Sequence, residues 1–145
     1  MNAVLSLGLA LTLGAPALKD PPKKPHNIVG EWVVESTMSA GKARPLTGDP
    51  LKYVFTTDGK WTVYRGERKI GGDQRGYFTD TKRDPPTIDL TTDTSDQETR
   101  KTLGIFKVEG DKLTLCIGRI NGDRPKAFEA TAEAPATLYV FKRVK

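Results

Sequence analysis

The chain has 145 residues, 37% of them hydrophobic and 28% charged, with a formal net charge of +5 at pH 7; that is one domain's worth of chain, able to bury roughly two-thirds of its unfolded surface. A single cysteine and a single histidine exclude an internal disulfide and a zinc centre built from several His or Cys ligands. The basic residues interleave with Asp and Glu, as in "YRGERKIGGDQRG" and "DTKRDPP", so the positive balance reads as a solvated surface and not as a nucleic-acid-binding face.

In chain order, the first element is "MNAVLSLGLALTLGAPAL", without a charged side chain. A membrane span needs ~20 apolar residues, whereas a signal-peptide core needs about 7 to 15, and Ala15-Pro16-Ala17 has the small-x-small form of a cleavage site. Residues 1–17 are therefore expected to be a signal peptide, although no Lys or Arg precedes the apolar run. The mature chain, from Leu18, then has no integral membrane span and is secreted or periplasmic. Residues 18–27, "LKDPPKKPHN", lack hydrophobic periodicity and read as a Pro/Lys spacer, with the folded domain spanning 28–145.

Strands are expected at 30–38, "GEWVVESTM", and in the hairpin "LKYVFTTDGKWTVYRG". With Gly59 as the left-handed residue of a three-residue turn, Phe55 pairs with Trp61 and Tyr53 with Val63. A two-residue Asp-Gly turn would scatter the apolar set. "RGYFTDT" and "PTIDLTT" follow as strands, with Pro85 and Pro86 suited to a strand start. In "LGIFKVEGDKLTLC" a turn at Gly110 and Asp111 pairs Val108 with Leu113, Phe106 with Leu115 and Gly104 with Ile117. Cys116 then lies opposite Ile105 on the second face, a half-buried structural thiol with no cation beside it to favour the thiolate. "ATLYVFKRV" closes the chain. About eight antiparallel strands in sequence order predict an all-β fold, a single up-and-down barrel that removes exposed edges.

Several motifs in this order carry a resemblance: Gly30-Glu31-Trp32, "PTIDL", the "GIFKVEGDKLTLC" hairpin, "RPKAF" and a final strand ending in Arg143. Over nearly all of residues 28–145 the sequence resembles a family of small exported lipocalin-like domains of planctomycete-type bacteria, departing from it in a short "GKARPLTGDP" between the first two strands. The resemblance implies a calycin-like barrel, an exported location, and closure of one barrel end by Gly30, Trp32 and Arg143. It carries no catalytic residue across.

The residues themselves offer little chemistry. His26 lies in the spacer, where nothing orients it for a catalytic triad or dyad. Asp89, Asp93, Asp96 and Glu98 lack the glycine-centred spacing of an EF-hand loop and read as a polar turn. Asp89, if it points inward, has Arg75 or Arg124 as a partner. No metal, cofactor or catalytic residue is assigned, and the expected role is non-catalytic binding. Tyr53, Phe55, Trp61, Val63, Tyr77 and Phe106 are the candidate lining for a small apolar or amphipathic ligand in the barrel. The alternative is a barrel filled by its own side chains, recognising an envelope protein through loops such as "GKARPLTGDP" and "RINGDRPKAF". Oligomeric state is not legible from the sequence.

Overall fold

The computed structural model describes residues 26–70, 75–93 and 98–145. The expected signal peptide, most of the spacer, the glycine pair of "KIGGDQRG" and Asp96 lie outside these residues. The described strands are β1 (Gly30–Ser39), β2 (Lys42–Arg44), β3 (Leu51–Phe55), β4 (Trp61–Arg65), β5 (Arg68–Ile70), β6 (Arg75–Asp80), β7 (Thr87–Asp93), β8 (Thr99–Glu109), β9 (Lys112–Ile120) and β10 (Thr137–Arg143). Among the described residues there is no helix.

Both hairpin registers follow from the apolar alternation and turn glycines. Gly59, at φ 79°, turns the chain so that Phe55 faces Trp61 and Tyr53 faces Val63. Gly110, at φ 61°, lets Glu109 meet Lys112, Val108 meet Leu113 and Phe106 meet Leu115. Each places one apolar row on one face of the sheet.

The strands form one antiparallel sheet in the order β5-β4-β3-β1-β10-β9-β8-β7-β6. The first strand pairs with the last, Trp32 opposite Arg143. β1 carries a bulge between Val34 and Ser36; its first half pairs with β3 and its second half with the short β2. The bulge keeps Val34 and Thr37 on the inner face, opposite Phe141 and Tyr139.

The described residues form a half-barrel of ten strands and do not show the closed barrel of about eight expected from the sequence. Among the described residues its ends, β5 and β6, do not form a ladder. β5 is only three residues long and occupies the Val63–Arg65 edge of β4, which leaves β6 only the start of β4 to approach. Among the described residues the seam holds one bridge, Lys60 to Gly76, with the Tyr77 amide donating to the Gly59 carbonyl at 2.8 Å. Two side chains span it as well: the Tyr77 hydroxyl donates to the Thr56 carbonyl at 2.6 Å and Trp61 Nε1 to the Thr91 carbonyl at 3.3 Å.

The inner face is a continuous core in which Trp32, Phe55, Phe106, Leu113, Leu115 and Phe141 are essentially inaccessible. Each such side chain contributes roughly 1.5–3 kcal/mol relative to exposure. A second, smaller cluster lies on the outer face, where Ile105, Cys116 and Ala136 are buried against Phe128 and Leu138. The 121–136 connection covers that face. It crosses β9 at Gly118, where a Cβ would lie 2.3 Å from the Asp123 carbonyl oxygen, so only glycine admits the crossing. Cys116 is therefore fully buried, not half-buried, because a loop from beyond its own hairpin folds over it.

The spacer expectation also changes at its end. His26 is oriented: its Nδ1 accepts the Val108 amide at 3.0 Å, and its ring meets Phe106 edge-on at 6.2 Å. The described chain thus touches β8 before β1 starts.

Candidate functional site

The residues expected to line a ligand cup do converge on the inner face, and they fill it. Tyr53 stacks on Trp61 with ring centres 6.0 Å apart and meets Phe141 at 5.1 Å. Phe55 takes Tyr77 edge-on at 5.2 Å. Tyr53, Phe55, Val63 and Phe106 are buried; Trp61 and Tyr77, at the seam, are half-buried. Burial, with Tyr139 adjacent, pushes the Tyr53 phenol far above its ordinary range. Tyr77 is raised too, by burial first and then by the Asp58 charge.

Gly30, Trp32 and Arg143 meet at one end. The Arg143 guanidinium lies 4.1 Å from the centre of the Trp32 ring and donates to the Val29 carbonyl at 3.2 Å. Trp32 Nε1 donates to the Ile28 carbonyl at 2.8 Å. Gly30 has φ 135°, and a Cβ there would stand 2.8 Å from Arg143 Nη1.

Asp89 faces outward, away from Arg75. It pairs with Arg124 at 2.6 Å and with Lys101 at 3.4 Å. Arg124 also donates to the carbonyls of Gly104 at 2.7 Å and Ile88 at 3.1 Å. This arrangement pins the 121–136 connection to the sheet, a structural task for both charges. Arg75 points the other way, with its guanidinium 4.8 Å from the centre of the Trp61 ring.

Two clefts of about 480 Å³ each lie beside loops. One runs under the connection after β9, between Arg119, Lys126, Glu129 and an apolar floor of Pro125, Ala134 and Pro135. The other opens where β1 parts from β3, beneath residues 45–50, against Val34, Thr37, Leu51, Arg65 and Tyr139. These are the segments "RINGDRPKAF" and "GKARPLTGDP" that the sequence offered as recognition loops.

Burial raises the Cys116 thiol, which donates to the Glu129 carbonyl at 3.5 Å, an arrangement opposite to that of a nucleophilic cysteine. Among the described residues no three His, Cys, Asp or Glu side chains group as metal ligands, and no helix is long and apolar enough to cross a membrane. Sequence reasoning missed the docking of His26, which no local pattern announces. It also missed Arg75 on Trp61, although the alternation of Arg75 with Tyr77 already put both on one face. Comparison with protein-family models, with curated proteins and with solved structures found no match.

Proposed function

We propose that this is an exported, non-catalytic lipocalin-like domain that works as a protein-interaction module, holding a segment of an envelope protein in its loop clefts. The observation that carries the reading is the mutual packing of Tyr53, Phe55, Trp61, Val63, Tyr77 and Phe106. That packing leaves recesses beside the loops and does not favour a deep apolar cup. Export rests on the composition of residues 1–17 and kinship on the motif order from Gly30 to Arg143.

The cleft after β9 suits an extended, small-residue segment: its lining combines Pro125, Ala134 and Pro135 with the charged Arg119, Asp123, Lys126 and Glu129. Peptides selected against the protein from a random displayed library test this. They should lose binding when Arg119 and Lys126 are changed to Glu, with the melting temperature unchanged. The reading fails if the double variant binds them equally well. It fails also if an uncharged lipophilic ligand raises the melting temperature by roughly 5 to 15 °C at about 100 times its Kd and Trp61→Ala abolishes that rise.

A further inference from the structure

The strand registers sort every side chain of the sheet onto one of two faces. Phe55 is opposite Trp61, and Lys60 is opposite Gly76 across the seam; Arg75 is thereby on the same inner face as Trp61. Thr92 lies opposite Arg75, and Arg100 opposite Thr92, so Trp61, Arg75, Thr92 and Arg100 form one row running from the seam across three strands. Among the described residues, the inward register positions of the strands carry cations but no Asp or Glu.

Arg75 is the unusual member of this row. Its Nε is buried without a hydrogen-bond acceptor among the described residues. Asp89, on the same strand as Thr92, the register partner of Arg75, points outward and is taken by Arg124 and Lys101. Arg143, the inward guanidinium at the other end of the fold, is by contrast satisfied by Trp32, the Val29 carbonyl and, at 3.9 Å, Asp111. A buried donor left unpaired is costly. The indole of Trp61 under the guanidinium stabilises the cation and fixes the plane of its fork, but it accepts no hydrogen bond along the N–H directions. What is missing is an acceptor, and the group that matches an arginine fork is a planar or tetrahedral oxyanion.

We propose that the inner face at the β4–β6 seam is a binding site for the oxyanion group, carboxylate or phosphate, of a small molecule, with Arg75 as its primary ligand and Thr92 and Arg100 beside it. The surroundings suit this chemistry. Tyr53 is close enough to Arg75 to feel its charge, yet burial keeps its phenol neutral, so it does not repel an anion. The partial exposure of Arg75 and Thr92 leaves the site reachable from solvent, and among the described residues no inward strand position carries a carboxylate to compete for the guanidinium. This site is separate from the loop clefts, and either can fail while the other stands.

The test is isothermal titration of the full chain at pH 7 and low salt with four probes: decanoate, decyl phosphate, decanol and inorganic phosphate. Decanoate or decyl phosphate should bind and decanol should not. Arg75→Gln should weaken the binding about tenfold or more, the scale of a lost charge-assisted hydrogen bond, whereas Arg143→Lys should leave it unchanged. Inorganic phosphate binding as well as decyl phosphate would support the site and identify the free anion as its occupant; binding of the amphiphiles alone would support it and assign the headgroup. The melting temperature of unliganded Arg75→Gln checks for a merely structural role: it should equal or exceed that of the unchanged protein, since an unpaired charge has been removed. The proposal is overturned if no anion binds, if decanol binds as tightly as decanoate, if Arg75→Gln binds as well as the unchanged protein, or if that variant melts markedly lower without ligand.

Discussion

The guanidinium of Arg143, at the end of the last strand, lies 4.1 Å from the ring centre of Trp32, near the start of the first strand. The two residues are also register partners, so one contact joins the ends of the chain's fold. Gly30 makes room for it, since a Cβ there would stand 2.8 Å from Arg143 Nη1.

The contact should therefore be coupled to the glycine. Arg143→Met should destabilise the protein by about 1–2 kcal/mol, because it removes a cation–π contact and a hydrogen bond that are only partly shielded from water. Gly30→Ala should cost about 1–3 kcal/mol through its left-handed φ and the clash. The double variant should lose less than the sum, since the methionine removes the atom that the new methyl strikes. Urea denaturation of the four proteins measures the difference.

Arg124 and Asp89 should be worth more than a surface pair. Their side chains are 28% and 20% exposed, and Arg124 also occupies the Ile88 and Gly104 carbonyls. Arg124→Ala should destabilise by about 1–3 kcal/mol, and Arg124→Lys should not restore the loss, since one ammonium cannot reach all three acceptors. Amide exchange in residues 121–136 should accelerate in both variants; unchanged exchange there would disprove the pinning role.

Cys116 should be silent to thiol reagents in the native protein. Burial raises its pKa above the ordinary 9.0, so at pH 8 the native thiolate fraction is below that of a free cysteine and the sulfur is covered besides. Labelling with a chromogenic disulfide should follow the rate of unfolding and become immediate in denaturant. Fast native labelling would refute the assignment.

Stability should fall on the alkaline side. Cys116, Tyr53 and Tyr77 all have pKa values raised by folding, so the unfolded chain releases these protons first. Their contribution is intact below the unfolded values, 9.0 for the thiol and 10.0 for the phenols, and is lost as pH rises past them toward the folded ones. Urea midpoints between pH 8 and 11 should decline, and Tyr53→Phe should make the decline shallower.

Legibility in the sequence was greatest where one local signal had one meaning. The Phe55–Trp61 and Phe106–Leu115 pairs could be read because the turn glycine and the apolar alternation demand the same register. The seam could not, because β5 is three residues long and nothing in "RKI" says whether it pairs back on β4 or continues around. The candidate lining residues were legible as inward-facing. Whether they enclose space or fill it was not, since alternation gives the direction of a side chain and not what lies opposite.

By itself, then, the sequence determined the all-β class, both hairpin registers and the faces on which the hairpin residues lie, since alternation and turn chemistry act over a few residues. Only the tertiary structure decided that the barrel is half closed, that Cys116 is fully covered, and that Asp89 belongs to Arg124 while Arg75 is left facing the interior. The physical reason is separation along the chain. The Asp89–Arg124 bond spans 35 residues and the His26–Val108 bond 82, and such contacts form only where the folded sheet brings loops and strands together, which no local pattern encodes.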